Sequence, residues 1–297
     1  MPQRLAIIGG GVIGVEFAGL FSSFGSTVTV IEMMDEIAPF MDREMAPLVR
    51  RAMKGVDFRL GCTVEKIDRA TVHYRDTSGN AQAAEADLVL MAAGRRPVTA
   101  SWGADAAGIA VSAKGVAVDE RMRTNVPGIW AAGDVTGKSL LAHCAYRMGE
   151  VAVADILCVL HNAESGQAGK QSTDRMRYHA VPWALYGITE AAGVGITEQE
   201  AGAQGIAVLT ASLPMQFSGR FIAENTSQGH GAVKVIASAH DRRIIGIHAV
   251  GAYATEFIWG GAALIEQEFR IEEVKQLIFP HPTVSELIRD AVWSIKE

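Results

Sequence analysis

Nine residues into the chain stands Gly9-Gly10-Gly11-Val12-Ile13-Gly14, a G-x-G-x-x-G turn. It follows the apolar run Leu5-Ala6-Ile7-Ile8 and opens an apolar, helix-like stretch from Val15 to Phe24. Strand, glycine turn and helix in that order is the context that a dinucleotide-binding turn requires. Gly9 permits the tight turn, Gly11 lets the backbone approach a pyrophosphate, and Gly14 lets the helix pack on the strand. The N-terminus of the expected helix, Gly14–Phe24, then offers unpaired N–H groups and a partial positive charge to phosphates.

Glu32 ends the next strand-like run, Thr27–Ile31, eighteen residues beyond Gly14. A carboxylate there accepts hydrogen bonds from adenosine ribose hydroxyls and repels a 2′-phosphate. No Arg or Lys stands between Glu32 and Asp42, and Asp35 and Glu36 add negative charge, so NAD is expected rather than NADP. Glu16 falls in the expected first helical turn, where it either favours the helix N-terminus electrostatically or reaches the nicotinamide end. The residues alone leave both open.

Composition excludes several classes. Twenty-seven Lys and Arg against 33 Asp and Glu give a net charge of −6, with no basic footprint for nucleic acid. Cys62, Cys144 and Cys158 are scattered, with no C-x-x-C, C-x₄-C or zinc spacing, so no metal site is expected. Such sparse cysteines fit reduced thiols in a cytoplasmic compartment. The apolar stretch Leu5 to Gly25 is interrupted by Glu16 and by glycines, which argues against a signal peptide or membrane span.

The pattern divides the chain into three. Residues 1–96 alternate strands and helices, with helix expected over Met41–Met53, strands near Phe58–Leu60, Val64–Ile67 and Thr71–Tyr74, and a buried parallel strand over Asp87–Ala92. Residues 97–177 carry a strand at Gly128–Ala132, a long helix from about Leu141 to His161, and a polar mobile linker from Asn162 to Arg177. Residues 178–297 place strands at Ala207–Leu213, Ala232–Ser238 and Ile244–Val250 between turns, with helices over Ala252–Phe269 and Thr283–Ile295. The fold class expected is an α/β Rossmann-type NAD domain with a partial FAD domain, then an α+β interface domain with an antiparallel sheet.

Two further constellations carry chemistry. Thr124-Asn125-Val126-Pro127-Gly128 leads through Trp130 to Gly133-Asp134, then Leu140-Leu141-Ala142-His143 opens the long helix. Asp134 can accept from a polyol hydroxyl while Gly133 lets that chain pass, and the helix start can stabilise a flavin pyrimidine ring. The alternative is an ordinary turn with Asp134 as N-cap. Near the C-terminus, His281-Pro282-Thr283-Val284-Ser285-Glu286 places a carboxylate where it can orient an imidazole as acid or base. The same residues also make a capping box, and both readings stand.

Taken together, the Gly9–Glu16 fingerprint, Glu32, Gly94-Arg95-Arg96-Pro97, Gly133-Asp134, Leu141-Ala142-His143 and His281-Pro282-Thr283…Glu286 resemble the pyridine nucleotide-disulfide oxidoreductase family. Within it the likeness is strongest to the dihydrolipoyl dehydrogenases. The resemblance implies NAD held by Gly9, Gly10, Gly11, Val12, Ile13, Gly14, Glu16 and Glu32, with Val64 near adenine and Gly94 on the nicotinamide side. It implies FAD held by Gly133, Asp134, Leu140, Leu141, Ala142 and His143. His281, oriented by Glu286, would accept the proton of a dithiol across a homodimer whose parent serves a 2-oxo acid dehydrogenase or related complex.

Departures from the family pattern are informative. The sequence has no earlier G-x-G-x-x-G for the flavin's ADP half and no redox C-x₄-C, and Phe279 and Thr189 replace a histidine and a proline usual in close relatives. The expectation is therefore a truncated C-terminal part of such an enzyme, inactive alone and not retaining FAD. A mercuric or glutathione reductase-type fragment, or a non-catalytic NAD-binding dimerisation module, are the alternatives.

Overall fold

The computed structural model describes residues 1–165, 171–226 and 229–296. They form two compact units, one from residues 1–94 with 182–297 and one from residues 95–181.

In the first unit, the apolar run forms β1 (Arg4–Ile8), followed by α1 (Val12–Ser23) and β2 (Thr27–Ile31). The helix expected over Met41–Met53 is confined to α2 (Ala46–Ala52). Pro47, lacking an N–H, sits in its first turn, where that loss is harmless, and Met41–Met45 lie ahead as turn. Then come β3 (Val56–Arg59), β4 (Thr63–Asp68), β5 (Thr71–Arg75), β6 (Ala81–Glu85) and β7 (Leu88–Met91). A parallel sheet runs β3-β2-β1-β7, with Ile8 opposite both Ile31 and Met91. β4, β5 and β6 make a separate antiparallel sheet. β7 is parallel as expected but not buried: it forms the sheet edge, with Leu88 and Met91 exposed.

Residues 95–181 hold a short hairpin, β8 (Val111–Ser112) and β9 (Gly115–Val116), and α3 (Ala142–Ser165). The strand expected at Gly128–Ala132 is a single antiparallel bridge, Arg123 to Trp130. Thr124 Oγ1 accepts the Val126 N–H, Asn125 accepts the Ala110 N–H at 2.7 Å, and Gly128 takes φ +82, so this stretch turns rather than extends. Of the expected linker, Asn162–Ser165 continue α3, residues 166–170 lie outside the described residues, and Met176 donates to the Glu120 carbonyl at 2.8 Å.

The remainder of the first unit contains β10 (Trp183–Leu185), β11 (Ala191–Gly195), α4 (Glu198–Ala203), β12 (Val208–Pro214), α5 (Gly219–Asn225), β13 (Ala232–Ser238), β14 (Ile244–Val250), α6 (Ala254–Glu266), α7 (Ile271–Gln276) and α8 (Glu286–Ser294). Its antiparallel sheet runs β10-β11-β14-β13-β12. One core joins both halves: Val15, Ala18, Val28, Val30 and Met45 share a cluster with Leu185, Ala191, Ala232 and Val250.

A buried charge sits at the same junction. Lys234 on β13, 2% exposed, reaches Glu198 Oε2 at 2.5 Å, Asp42 Oδ1 at 3.1 Å and Glu44 Oε2 at 3.3 Å. Burial disfavours the ammonium, but these carboxylates outweigh it and raise the Lys234 pKa. Asp42 is likewise penalised by burial, yet the Glu198 and Glu44 N–H groups and the ammonium hold it below the ordinary carboxylate value. Opposite Lys234 on β14, fully buried His248 donates Nε2–H to the Ile196 carbonyl at 3.0 Å, leaving Nδ1 without a hydrogen-bond partner among the described residues. Burial pushes its pKa down.

These shifts set the pH response. His248 and Asp42 have lowered folded values, so their contributions are present above the ordinary 6.5 and 3.8 and are lost as pH falls below them. Lys234 acts in the other direction, contributing below 10.5 and losing its effect as pH rises beyond it. Urea midpoints should therefore fall between about pH 7.5 and about pH 5, and His248→Gln should flatten that segment. A wild-type midpoint constant over that range would contradict this assignment.

Candidate functional site

The glycine turn owes its shape to backbone contact. Gly9 takes φ +106, and a Cβ there would lie 2.4 Å from the Ala92 carbonyl oxygen. A Cβ on Gly14 would fall 1.9 Å from the Gly9 carbonyl oxygen, so α1 meets β1 only because neither carries a side chain. Gly11 differs: its φ is −71, and nothing lies within 4 Å of an added Cβ. It caps α1 without any side-chain hydrogen bond, leaving the first amides of the helix, at Val12 and Ile13, open to an anion.

Glu32 is buried against this turn. Its Oε2 accepts the Gly10 N–H at 2.5 Å and its Oε1 accepts the Met34 N–H at 2.7 Å. The carboxylate thus holds the loop in place as well as presenting negative charge at the end of β2. Glu16 lies in the second turn of α1 rather than the first, because the helix begins at Val12. Its Oε1 accepts the Tyr186 N–H at 2.8 Å, a bond between α1 and the segment after β10. Val64, on β4, is half-buried beside the cluster of Ile8, Ile31, Cys62 and Tyr74. Gly94, with φ +107, is exposed and open at its Cβ position.

In the unit of residues 95–181, Gly133 takes φ +79 and donates its N–H to Met148 Sδ at 3.2 Å. Asp134 is exposed, and its carboxylate takes no hydrogen bond among the described residues. It lies within a 3-10 turn, Asp134–Thr136, whose cap position is Gly133, so the N-cap alternative is not what forms. Leu140, Ala142 and His143 are exposed at the start of α3, while half-buried Leu141 packs on Met122, Cys144 and Met148. Fully buried Asp155 anchors this region by accepting from Arg123 at 2.5 and 2.7 Å and from Trp130 Nε1 at 2.9 Å. Burial would raise its pKa, but those donors lower it.

The C-terminal pair forms directly. His281 Nδ1 lies 2.9 Å from Glu286 Oε1, and Glu286 Oε2 accepts the Thr283 N–H at 2.7 Å. The helix expected from Thr283 starts at Glu286, and Thr283 Oγ1 bonds to Pro280 O and Ser285 Oγ, so only half of the capping box exists. Burial raises the Glu286 pKa, but the Thr283 amide and the imidazole bring it below the ordinary value. The imidazole is 82% exposed, leaving Nε2 without a bonded neighbour among the described residues.

Sequence reasoning missed Lys234, Asp42 and Glu198, although a lysine inside the apolar run Ala232-Val233-Lys234-Val235-Ile236 signals a buried partner. It also missed Asp155, an acid on the buried side of α3. Among the described residues no group of three or more His, Cys, Asp or Glu is placed to hold a metal ion, and none of the three cysteines is in a disulfide. No described helix is long and apolar enough to cross a membrane.

Residues 1–149 match the family described as pyridine nucleotide-disulphide oxidoreductase, and residues 181–292 match its dimerisation domain. A dihydrolipoyl dehydrogenase 3 of Haloarcula marismortui is 35% identical over all of this chain and 61% of its own length. A dihydrolipoyl dehydrogenase of Cupriavidus necator is 34% identical over 99% of this chain and 60% of its own. Among solved structures, LpdA from Mycobacterium tuberculosis superposes with a TM-score of 0.81 at 27% identity, covering 98% of this chain and 61% of that one. The HOCl-induced flavoprotein disulfide reductase RclA from Escherichia coli gives 0.80 at 29%, covering 99% and 65%. The chain spans about 60% of the length of the curated relatives it matches. With both domains matched in order, it belongs to the pyridine nucleotide-disulphide oxidoreductase family.

Proposed function

We propose that this chain is the C-terminal part of a flavin-dependent dihydrolipoyl dehydrogenase that passes electrons from a dithiol through FAD to NAD. In this reading residues 1–96 bind NAD, residues 97–177 complete the FAD domain, and residues 178–297 form the interface domain. The observation that carries it is the His281–Glu286 bond at 2.9 Å with the rest of the imidazole in solvent. A carboxylate that holds one ring nitrogen leaves the other to take a thiol proton.

The cofactor positions fit the groups. The open Gly11 and the uncapped start of α1 suit a pyrophosphate, and Glu32 suits a ribose without a 2′-phosphate. Glu16 and Gly94 would face the nicotinamide side and Val64 the adenine side. Asp134, with its unengaged carboxylate, would accept from a ribityl hydroxyl, and Leu140 to His143 would line the flavin ring, which supplies two-electron transfer when bound. Tyr146, Val153, Leu157 and Leu160, all exposed, fall along one stripe of α3, which supports further protein covering that face in the complete enzyme. Since the 297 residues hold no C-x₄-C, this chain alone should oxidise no dihydrolipoamide.

An apolar groove of about 640 Å³ between α6 and the 277–288 segment, with Trp259, Ile278 and Phe279 at its walls, supports a homodimer through this face. The complete enzyme would serve a 2-oxo acid dehydrogenase or related complex.

Three outcomes test the reading. Joined to a family flavin and C-x₄-C segment, the chain should oxidise dihydrolipoamide with NAD, and His281→Gln should lower kcat by roughly 10²–10⁴-fold. A flavin-loaded fusion that ignores dihydrolipoamide would overturn the substrate. Gly11→Ala should abolish NADH binding while shifting stability by only about 0.5 kcal/mol, whereas Gly14→Ala should lose about 3 kcal/mol or more, both read from fluorescence and urea titrations. In sedimentation, Trp259→Asp should convert a dimer into a monomer; an unaltered dimer would place the interface elsewhere.

A further inference from the structure

The segment from Glu32 to Glu44 ties the glycine turn to the buried ion cluster. At one end, Glu32 accepts the Gly10 N–H, and Ala38 donates its N–H to the Gly10 carbonyl at 2.8 Å. At the other, the Met41 carbonyl accepts Gln199 Nε2 at 2.7 Å, Arg43 donates its N–H to Gln199 Oε1 at 3.2 Å, and Asp42 binds both the Glu198 N–H and Lys234 at 3.1 Å. Only Pro39, Phe40 and Met41 separate Ala38 from Asp42.

That short stretch has no slack. Met41 donates its N–H to the Ala38 carbonyl at 2.8 Å, Phe40 stands edge-on to Trp183 at 5.0 Å between ring centroids, and Ile37, Ala38, Met41 and Asp42 are buried. Ala38 is held at φ +42, a conformation an alanine adopts only when its surroundings impose it. A displacement of Asp42 must therefore reach Ala38 and the Gly10 carbonyl it holds, or break one of these bonds.

We propose that Lys234 and Asp42 are positioning residues for the glycine turn, so that the ion cluster at the junction of the two halves sets dinucleotide affinity and the bound dinucleotide in turn tightens the cluster. The two effects are equal by linkage. The proposal rests on the reading of the turn as an NAD site.

The test is an NADH fluorescence titration of the 297-residue chain and of Lys234→Met, Asp42→Asn and the milder Glu198→Gln, each verified as folded by circular dichroism. Hydrogen exchange of the Glu198 amide is followed in parallel. Lys234→Met and Asp42→Asn should weaken NADH by roughly 5-fold or more, with a smaller loss for Glu198→Gln. NADH should slow exchange of the Glu198 amide in the wild-type chain. Should the first two variants fail to fold, Glu198→Gln and the exchange measurement decide the matter. If the wild-type chain binds NADH while folded variants bind equally and the amide is indifferent, the coupling is overturned and the cluster is only a joint. If the wild-type chain binds no NADH, the dinucleotide reading itself falls and the coupling with it.

Discussion

A close approach of backbone to backbone governs the rest of the N-terminal half. Where α1 leaves β1, a single methyl on Gly14 would overlap the Gly9 carbonyl, and one on Gly9 would overlap the carbonyl of Ala92 beyond β7. Without side chains at these points, the helix lies on the sheet, and β1 accepts β2 and β7 on either side. The helix start then leaves its first amides beside the open surface of Gly11, and the acid at the end of β2 is bonded to the same turn.

A second constraint explains why residues 1–94 and 182–297 behave as one body. Hydrophobic burial supplies the adhesion, through a core to which both contribute. The lysine that crosses the junction supplies direction. A buried ammonium tolerates few placements, since each carboxylate must sit within bonding distance, whereas apolar side chains repack with little loss. Removing one member of such a cluster commonly costs about 3–5 kcal/mol, less here to the extent that Glu44 and Glu198 remain partly in solvent.

Much of this was legible in the residues, for reasons that differ by element. Thr27–Ile31, Ala232–Ser238 and Ile244–Val250 are found with the bounds read from their β-branched runs, because local pattern and tertiary environment agree. β6, Ala81-Gln82-Ala83-Ala84-Glu85, was missed: its composition is poor for a strand, and pairing with β5 creates it. β11 was missed for a similar reason. Its Gly193 leaves room that Trp183 and His248 fill from neighbouring strands, a need no single segment displays. Gly128–Ala132 misled in the opposite direction, its apolar residues suggesting a strand where turn bonds prevail. The geometry of the turn and the His281–Glu286 bond were readable because both are local; the setting of Lys234 was not, because its partners lie 192 and 36 positions away at Asp42 and Glu198.

One of the two cores of the 95–181 unit is rich in sulfur. Met122, Met148 and Met176 share one small core with Cys144, and the Met148 thioether itself accepts the N–H of Gly133. Conversion of that thioether to a sulfoxide would place a polar, bulkier oxygen at the point that shapes the Gly133-Asp134 turn. The smaller unit therefore has a chemical weak point directly beneath the exposed carboxylate of Asp134, and oxidative damage there would be felt at this turn as well as in the core.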